Sequence, residues 1–236
     1  MRSLPNSSRI LICAAVVYLL AGCRGLPTYT ASELSTLDRR KIWTMAEEGN
    51  PHAQFEVGMS YLPGDGVQTN VPEAVEWLTK AAQGGQILAQ YNLGKLYSDG
   101  REVEMDCIKA VQWFHRAAAR GFNLAQYELG LLYEQGCGTH QDYGQAAIWF
   151  RRAAEQGNGE AQFQLGLLYE SGRGVSKNYV LAYKWFLCAA RTSWLDERIP
   201  KEIAEQVHFL EQHMNPAEAA EGQALARSFI PHSKFP

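Results

Sequence analysis

The stretch Ala125-Gln126-Tyr127-Glu128-Leu129-Gly130 decides the fold, because it returns at a constant distance. Stepping back by 36 residues gives Ala89-Gln90-Tyr91-Asn92-Leu93-Gly94 and then Ala53-Gln54-Phe55-Glu56-Val57-Gly58; stepping forward by 36 gives Ala161-Gln162-Phe163-Gln164-Leu165-Gly166. Four more series keep the step: Tyr61, Tyr97, Tyr133 and Tyr169; Gly64, Gly100, Gly136 and Gly172; Trp77, Trp113, Trp149 and Trp185; Gly49, Gly85, Gly121 and Gly157. A period of this size marks a repeat architecture, in which each unit is too small to cover its own apolar face and must stack on its neighbours.

Each unit reads as two helices. The first, about 52–62, places Ala53, Val57, Gly58 and Tyr61 on one face; the second, about 73–84, does the same with Ala74, Trp77, Leu78, Ala81 and Ala82. Large rings beside small residues let adjacent helices interlock. Pro63-Gly64-Asp65-Gly66 must turn, Pro72 suits a first helical turn, and Gly85 ends the second helix in a left-handed conformation. Glu102 stands where Gly66, Gly138 and Gly174 sit, so the second loop is expected to turn differently.

Four repeats, about 51–86, 87–122, 123–158 and 159–194, are expected over residues 51–192. Ahead of them a half-repeat helix over 37–50 sets Ile42, Ala46 and Gly49 in register, with Lys41 facing solvent where a tryptophan would stand. Ser193 replaces the next period glycine, and capping helices over 195–230 follow, before a tail over 231–236. One cap helix starts at Pro200 and buries Ile203, Val207 and Leu210; Asn215-Pro216-Ala217-Glu218 opens the other with a capping box. The expected fold is all-α: a right-handed α-solenoid of stacked antiparallel helix hairpins forming one cooperative array.

The pattern Ala-Gln-x-x-Leu-Gly-x-x-Tyr, a Gly-x-Gly loop, then Lys-Ala-x-x-Trp-Phe-x-x-Ala-Ala-x-x-Gly resembles Sel1-like repeats, relatives of the tetratricopeptide repeat, over about 37–192. The resemblance implies a scaffold that binds its partner along a concave face lined by first helices. The matching positions are Phe55, Tyr91, Tyr127 and Phe163, then Met59, Lys95, Leu131 and Leu167, with Glu56, Asn92, Glu128 and Gln164 beside them. An aromatic row edged by amides and acids suits a peptide or an extended protein segment. Packing of the same rings between adjacent hairpins is the competing reading.

Residues 1–22 read as an export signal: Arg2 and Arg9 precede the apolar run Ile10 to Leu20, which is shorter than the roughly 20 residues a spanning helix needs. Leu20-Ala21-Gly22-Cys23 resembles the lipobox of bacterial lipoproteins, which implies cleavage between Gly22 and Cys23 and acylation of Cys23, with 23–36 as a linker. Arg24 is not the aspartate that retains such proteins at an inner membrane, so the outer membrane is favoured, with the chain facing the periplasm or the surface. Without the signal the chain has 20 basic and 25 acidic residues, which disfavours nucleic acid as a partner. A composition of 46% apolar and 20% charged residues disfavours disorder.

Chemistry is sparse. There is no Gly-x-Ser-x-Gly, Ser-x-x-Lys or His-Glu-x-x-His motif, and no phosphate-binding glycine loop. His208 and His213 are five apart, off a common helical face. No cofactor or metal is expected. The tryptophan series is read as core, not as a sugar-stacking surface. Cys107 and Cys137 pair if their loops stack, while spacing leaves free thiols equally open; Cys188 is then the odd cysteine. The expected function is a membrane-anchored adaptor of the cell envelope with a protein or peptide partner. The alternatives are a β-lactam hydrolase or penicillin-binding protein, as in cysteine-rich relatives with a disulfide in each repeat, and a surface-exposed host-interaction factor.

Overall fold

A computed structural model describes residues 39–62, 69–192 and 198–232, and the described residues are helices joined by short turns. Gly22, Cys23 and the rest of the export segment lie outside the described residues, as do Pro63–Gly66, Ser193 and the last four residues. The chain divides into two compact units, the first ending at Glu104 and the second starting at Met105. The division falls inside the second repeat, where one array had been expected.

The first unit holds α1 (Arg39–Glu47), α2 (Pro51–Ser60), α3 (Val71–Gln83) and α4 (Ile87–Asp99). The second holds α5 (Cys107–Ala119), α6 (Asn123–Gln135), α7 (Tyr143–Glu155), α8 (Gly159–Ser171), α9 (Tyr179–Thr192) and the cap helices α10 (Arg198–His213) and α11 (Pro216–Ser228). In each unit, consecutive helices pack as hairpins: α2 on α3 in the first, α6 on α7 and α8 on α9 in the second. The successive repeats join through α3 on α4 and through α7 on α8, while α10 and α11 both close over α9.

Caps recur with the same period. Asn70, Asp106, Asp142 and Asn178 each turn a side-chain oxygen onto the backbone N–H three residues on, at 2.9–3.4 Å, and so start every second helix. Asn215 and Glu218 form the expected capping box at α11, with three bonds of 2.9–3.0 Å. Glu102 does not adopt the positive φ found at its counterparts Gly138 (73°) and Gly174 (68°), so the second loop does take a different path.

Two interactions set the hairpin geometry. The glycine of each Ala-Gln-x-x-Leu-Gly segment lets the partner helix approach: a Cβ on Gly58 would lie 2.8 Å from Leu78, and one on Gly130 or Gly166 would lie 2.5 Å from the ring of Phe150 or Phe186. The glutamine of the same segment is buried, and its amide donates to a carbonyl eight residues earlier in the last turn of the preceding second helix. Gln54 reaches Ala46, Gln90 Ala82, Gln126 Ala118 and Gln162 Ala154, at 2.9–3.1 Å. Each of these carbonyls also accepts the N–H of the period glycine three residues on, so the glutamine amide is its second donor and ties one repeat to the next.

One expectation about aromatic residues needs correction. Trp77, Trp149 and Trp185 are buried, but Trp113 is only half-buried. Lys41 is exposed as expected, and two residues on Trp43 lies edge-on to Trp77 at 5.6 Å and to Tyr61 at 6.0 Å, in step with His115, which meets Trp149 edge-on at 5.7 Å. In the cap, Ile203 and Leu210 are buried and Val207 is partly buried. Beyond α11 the chain folds back: Phe229 sits edge-on to Trp185 at 5.3 Å, Pro231 lies against Gly157, and the His232 N–H donates to the Glu155 carbonyl at 2.8 Å.

Replacing Gly130 by Ala should destabilise the second unit by about 1–3 kcal/mol, because the added methyl meets a ring held in a filled core. Thermal unfolding should show the loss, and Phe150→Leu in the Gly130→Ala background should recover part of it.

Candidate interaction surface

The expected binding row does not behave as one set. In the first unit Phe55 is 4% exposed and belongs to the core, which removes it as a contact residue. Tyr91, Asn92 and Lys95 are half-buried on α4. The Asn92 amide donates to the Leu88 carbonyl at 2.7 Å, and Lys95 pairs with Asp99 at 3.0 Å within the same helix. Met59 and Glu56 are half-buried on α2.

In the second unit α6 and α8 bring four of the expected residues together. Tyr127 and Phe163 are half-buried. Their rings rest on the phenylalanine of their own hairpin, Tyr127 on Phe150 at 5.9 Å and Phe163 on Phe186 at 5.6 Å. Each ring therefore packs within its own hairpin, while the Tyr127 hydroxyl also bonds across to Gln164 of the next. Burial, then the negative charges of Glu160 and Glu128, push the Tyr127 phenol well above its usual range, while its hydrogen bond with the Gln164 side chain partly opposes the shift. Tyr127 is therefore a neutral phenol at physiological pH, with an amide and carboxylates around it. Leu131 and Leu167 pack partly buried beside these rings. At the far end of the same helices, burial raises the Glu134 and Glu170 carboxyls, and Arg173 and Lys177 respectively oppose the shift.

The tryptophans of the second helices offer no comparable surface. A cation covers each ring: Lys80 over Trp77 at 4.4 Å, Arg116 over Trp113 at 4.6 Å, Arg152 over Trp149 at 4.5 Å and Lys184 over Trp185 at 4.2 Å. Three of these cations stand three residues after their tryptophan, so the pattern was present in the sequence but went unread. At the fourth such position is Cys188, a buried free thiol, and burial raises its pKa.

Cys107 and Cys137 form a disulfide with Cα atoms 5.4 Å apart. It ties the first turn of α5 to the loop after α6, where Gly138 runs so close to the Cys107 carbonyl that a Cβ would collide with it. One period on, Gly174 runs equally close to the Tyr143 carbonyl, and Arg173 stacks over the Tyr143 ring at 5.5 Å in place of the bridge. A further period on, Tyr179 meets Phe209 of the cap edge-on at 6.5 Å. One structural task is thus done by three different chemistries.

Among the described residues no group of three or more His, Cys, Asp or Glu is placed to hold a metal, and no helix is long and apolar enough to cross a membrane. His208 and His213 bond to neighbours on their own helix, Gln212 and the Phe209 carbonyl.

Stacked helical hairpins with a polar-aromatic first-helix face define a helical-repeat protein of the α-solenoid class. The Sel1 repeat model matches residues 51–86, 87–122, 123–158 and 159–191, and the chain belongs to the Sel1 repeat family. Among solved structures it is similar to a protective antigen present in uropathogenic Escherichia coli strains and displaying an SLR fold, at 32% identity and a TM-score of 0.71. That match covers 95% of this chain but only 45% of the E. coli protein. A Sel1 repeat protein from Oxalobacter formigenes matches at 29% identity and a TM-score of 0.63, over 80% of this chain and 75% of the other. No curated protein matches. Sel1 repeat proteins are protein-interaction scaffolds, and the fold is generally non-catalytic.

Serine at both Cys107 and Cys137 should cost the second unit about 2–4 kcal/mol, the range for opening a loop of this length. The denaturation midpoint of the parent protein should fall toward that of the double variant when a reductant is added, and the double variant should not respond.

Proposed function

We propose that this protein is a non-enzymatic adaptor of the bacterial cell envelope, held to a membrane through acylated Cys23, with a protein partner seated on the first-helix face of the second unit. The observation that carries the reading is how the helices divide the work. The buried stripes and tryptophans of α7 and α9 are consumed by packing and by covering cations. The α6 and α8 face instead keeps half-buried rings beside polar groups that the 36-residue period does not dictate: Glu128 on one repeat, Gln164 on the next. Residues that a scaffold does not need are the ones left for recognition.

The disulfide supports export, since such bridges persist in oxidising compartments and are rare in the cytosol. A single bridge among the described residues, instead of one per repeat, gives no support to the β-lactam-directed alternative.

A photo-crosslinker at position 128 or 164 should capture a discrete envelope protein in intact cells. Gln164→Lys should weaken capture from position 128, and Glu128→Lys capture from position 164, each about tenfold, a loss of ~1.4 kcal/mol. Capture indistinguishable from background at both positions would defeat the reading. Incorporation of a palmitate analogue by the parent protein but not by Cys23→Ser would test the anchor separately.

A further inference from the structure

The second unit segregates its charge by helix type. The first helices α6 and α8 carry Glu128, Glu134, Glu160 and Glu170 and contain no lysine or arginine. The second helices α5 and α7 carry Lys109, Arg116, Arg151 and Arg152 against one acid, Glu155. Lys109 is paired with Asp106 at 3.0 Å, but Arg116, Arg151 and Arg152 are exposed with no ion pair to a carboxylate among the described contacts, Arg151 donating instead to the Tyr169 hydroxyl of α8. The His115 ring meets Trp149 at 5.7 Å, so α5 and α7 are neighbours and share one outer face.

This face differs from an ordinary solvated surface in two respects. First, Arg116 and Arg152 are held over Trp113 and Trp149, one period apart. Each guanidinium carbon is held over its ring while the residue stays exposed, and a guanidinium fixed in place pairs well with phosphate oxygens. Second, the same helices expose large apolar side chains among the cations: Ile108 is 61% and Ile148 45% exposed, and Met105, just before α5, is 62% exposed. Fixed arginines interspersed with exposed isoleucines match an anionic lipid surface, where headgroup phosphates meet the cations and apolar tips enter the acyl boundary.

We infer that the outer face of α5 and α7 lies against anionic lipid headgroups, so that the membrane is a second ligand of the protein, on the side of the unit opposite in charge to its partner-binding face. The inference does not depend on which partner the first helices take.

The test is phenylglyoxal labelling of the full chain, with Arg116, Arg151 and Arg152 followed by peptide mapping. It is done with phosphatidylcholine vesicles and with vesicles that also contain phosphatidylglycerol, and flotation scores membrane attachment. Labelling should fall about threefold or more only with the anionic vesicles, and rising salt should restore it. Ile108→Glu with Ile148→Glu, both at exposed sites, should abolish the protection and leave the melting temperature unchanged. Equal labelling with both vesicle types overturns the inference, and so does failure to float with either, or protection by polyglutamate without protection by vesicles. A failed anchor has a different signature: no flotation with phosphatidylcholine alone, while the anionic vesicles still protect.

Discussion

Four buried glutamine amides, each closing on a carbonyl eight residues back, are what the rest of this structure is arranged around. An uncompensated buried amide is costly, so each glutamine is placed where a helix-end carbonyl, already bonded to the period glycine, has a second lone pair to offer. That requirement sets the first helix of one repeat against the last turn of the helix before it. At two of the four the carbonyl oxygen of the same amide is used as well: Gln156 donates to Gln126 at 2.7 Å, and Thr192 to Gln162 at 3.1 Å. The polar link thus fixes register between repeats, and the glycine-to-phenylalanine contacts fix distance within them.

With spacing fixed in this way, the remaining positions divide into those the stack needs and those it does not. The stack needs an alanine-rich seam, a large apolar side chain beside the segment glycine and, in the second unit, a staple at the start of each second helix. A cystine, an arginine over a tyrosine, and a tyrosine against a phenylalanine all serve as that staple, so it constrains geometry and not residue type. Surface charge is free of such demands, and in the second unit it sorts into an acidic face of first helices and a basic face of second helices. Recognition is carried by this unconstrained set.

The period made most of the fold legible. Helix pairs, the glycine turns, the Asn215 cap and the covering role of the last two helices all follow from spacing and capping chemistry. What escaped notice lay off the period or depended on depth. Trp43 stands two residues out of register with the tryptophans, in step with His115, and both pack edge-on to the tryptophan of the next repeat, so equal residue types do not reveal the shared position. Phe55 and Tyr127 occupy one repeat position and differ in burial, because burial depends on the neighbours of a given repeat and not on the residue's place in the pattern. The glutamines were plain in the sequence, but their meaning required the partner carbonyl. The division within the second repeat coincides with the loop that has Glu102 in place of glycine.

The fold-back after α11 bears on assembly. A helical repeat ends in a surface shaped to receive another of its kind, and an uncovered end invites copies to join head to tail without limit. Here Phe229 occupies the outer side of the last period tryptophan, and Pro231 and His232 pin the strand across the turn beneath it. Residues 229–232 add to α10 and α11, which close over α9, so a copy joining at that end would have to displace the cap.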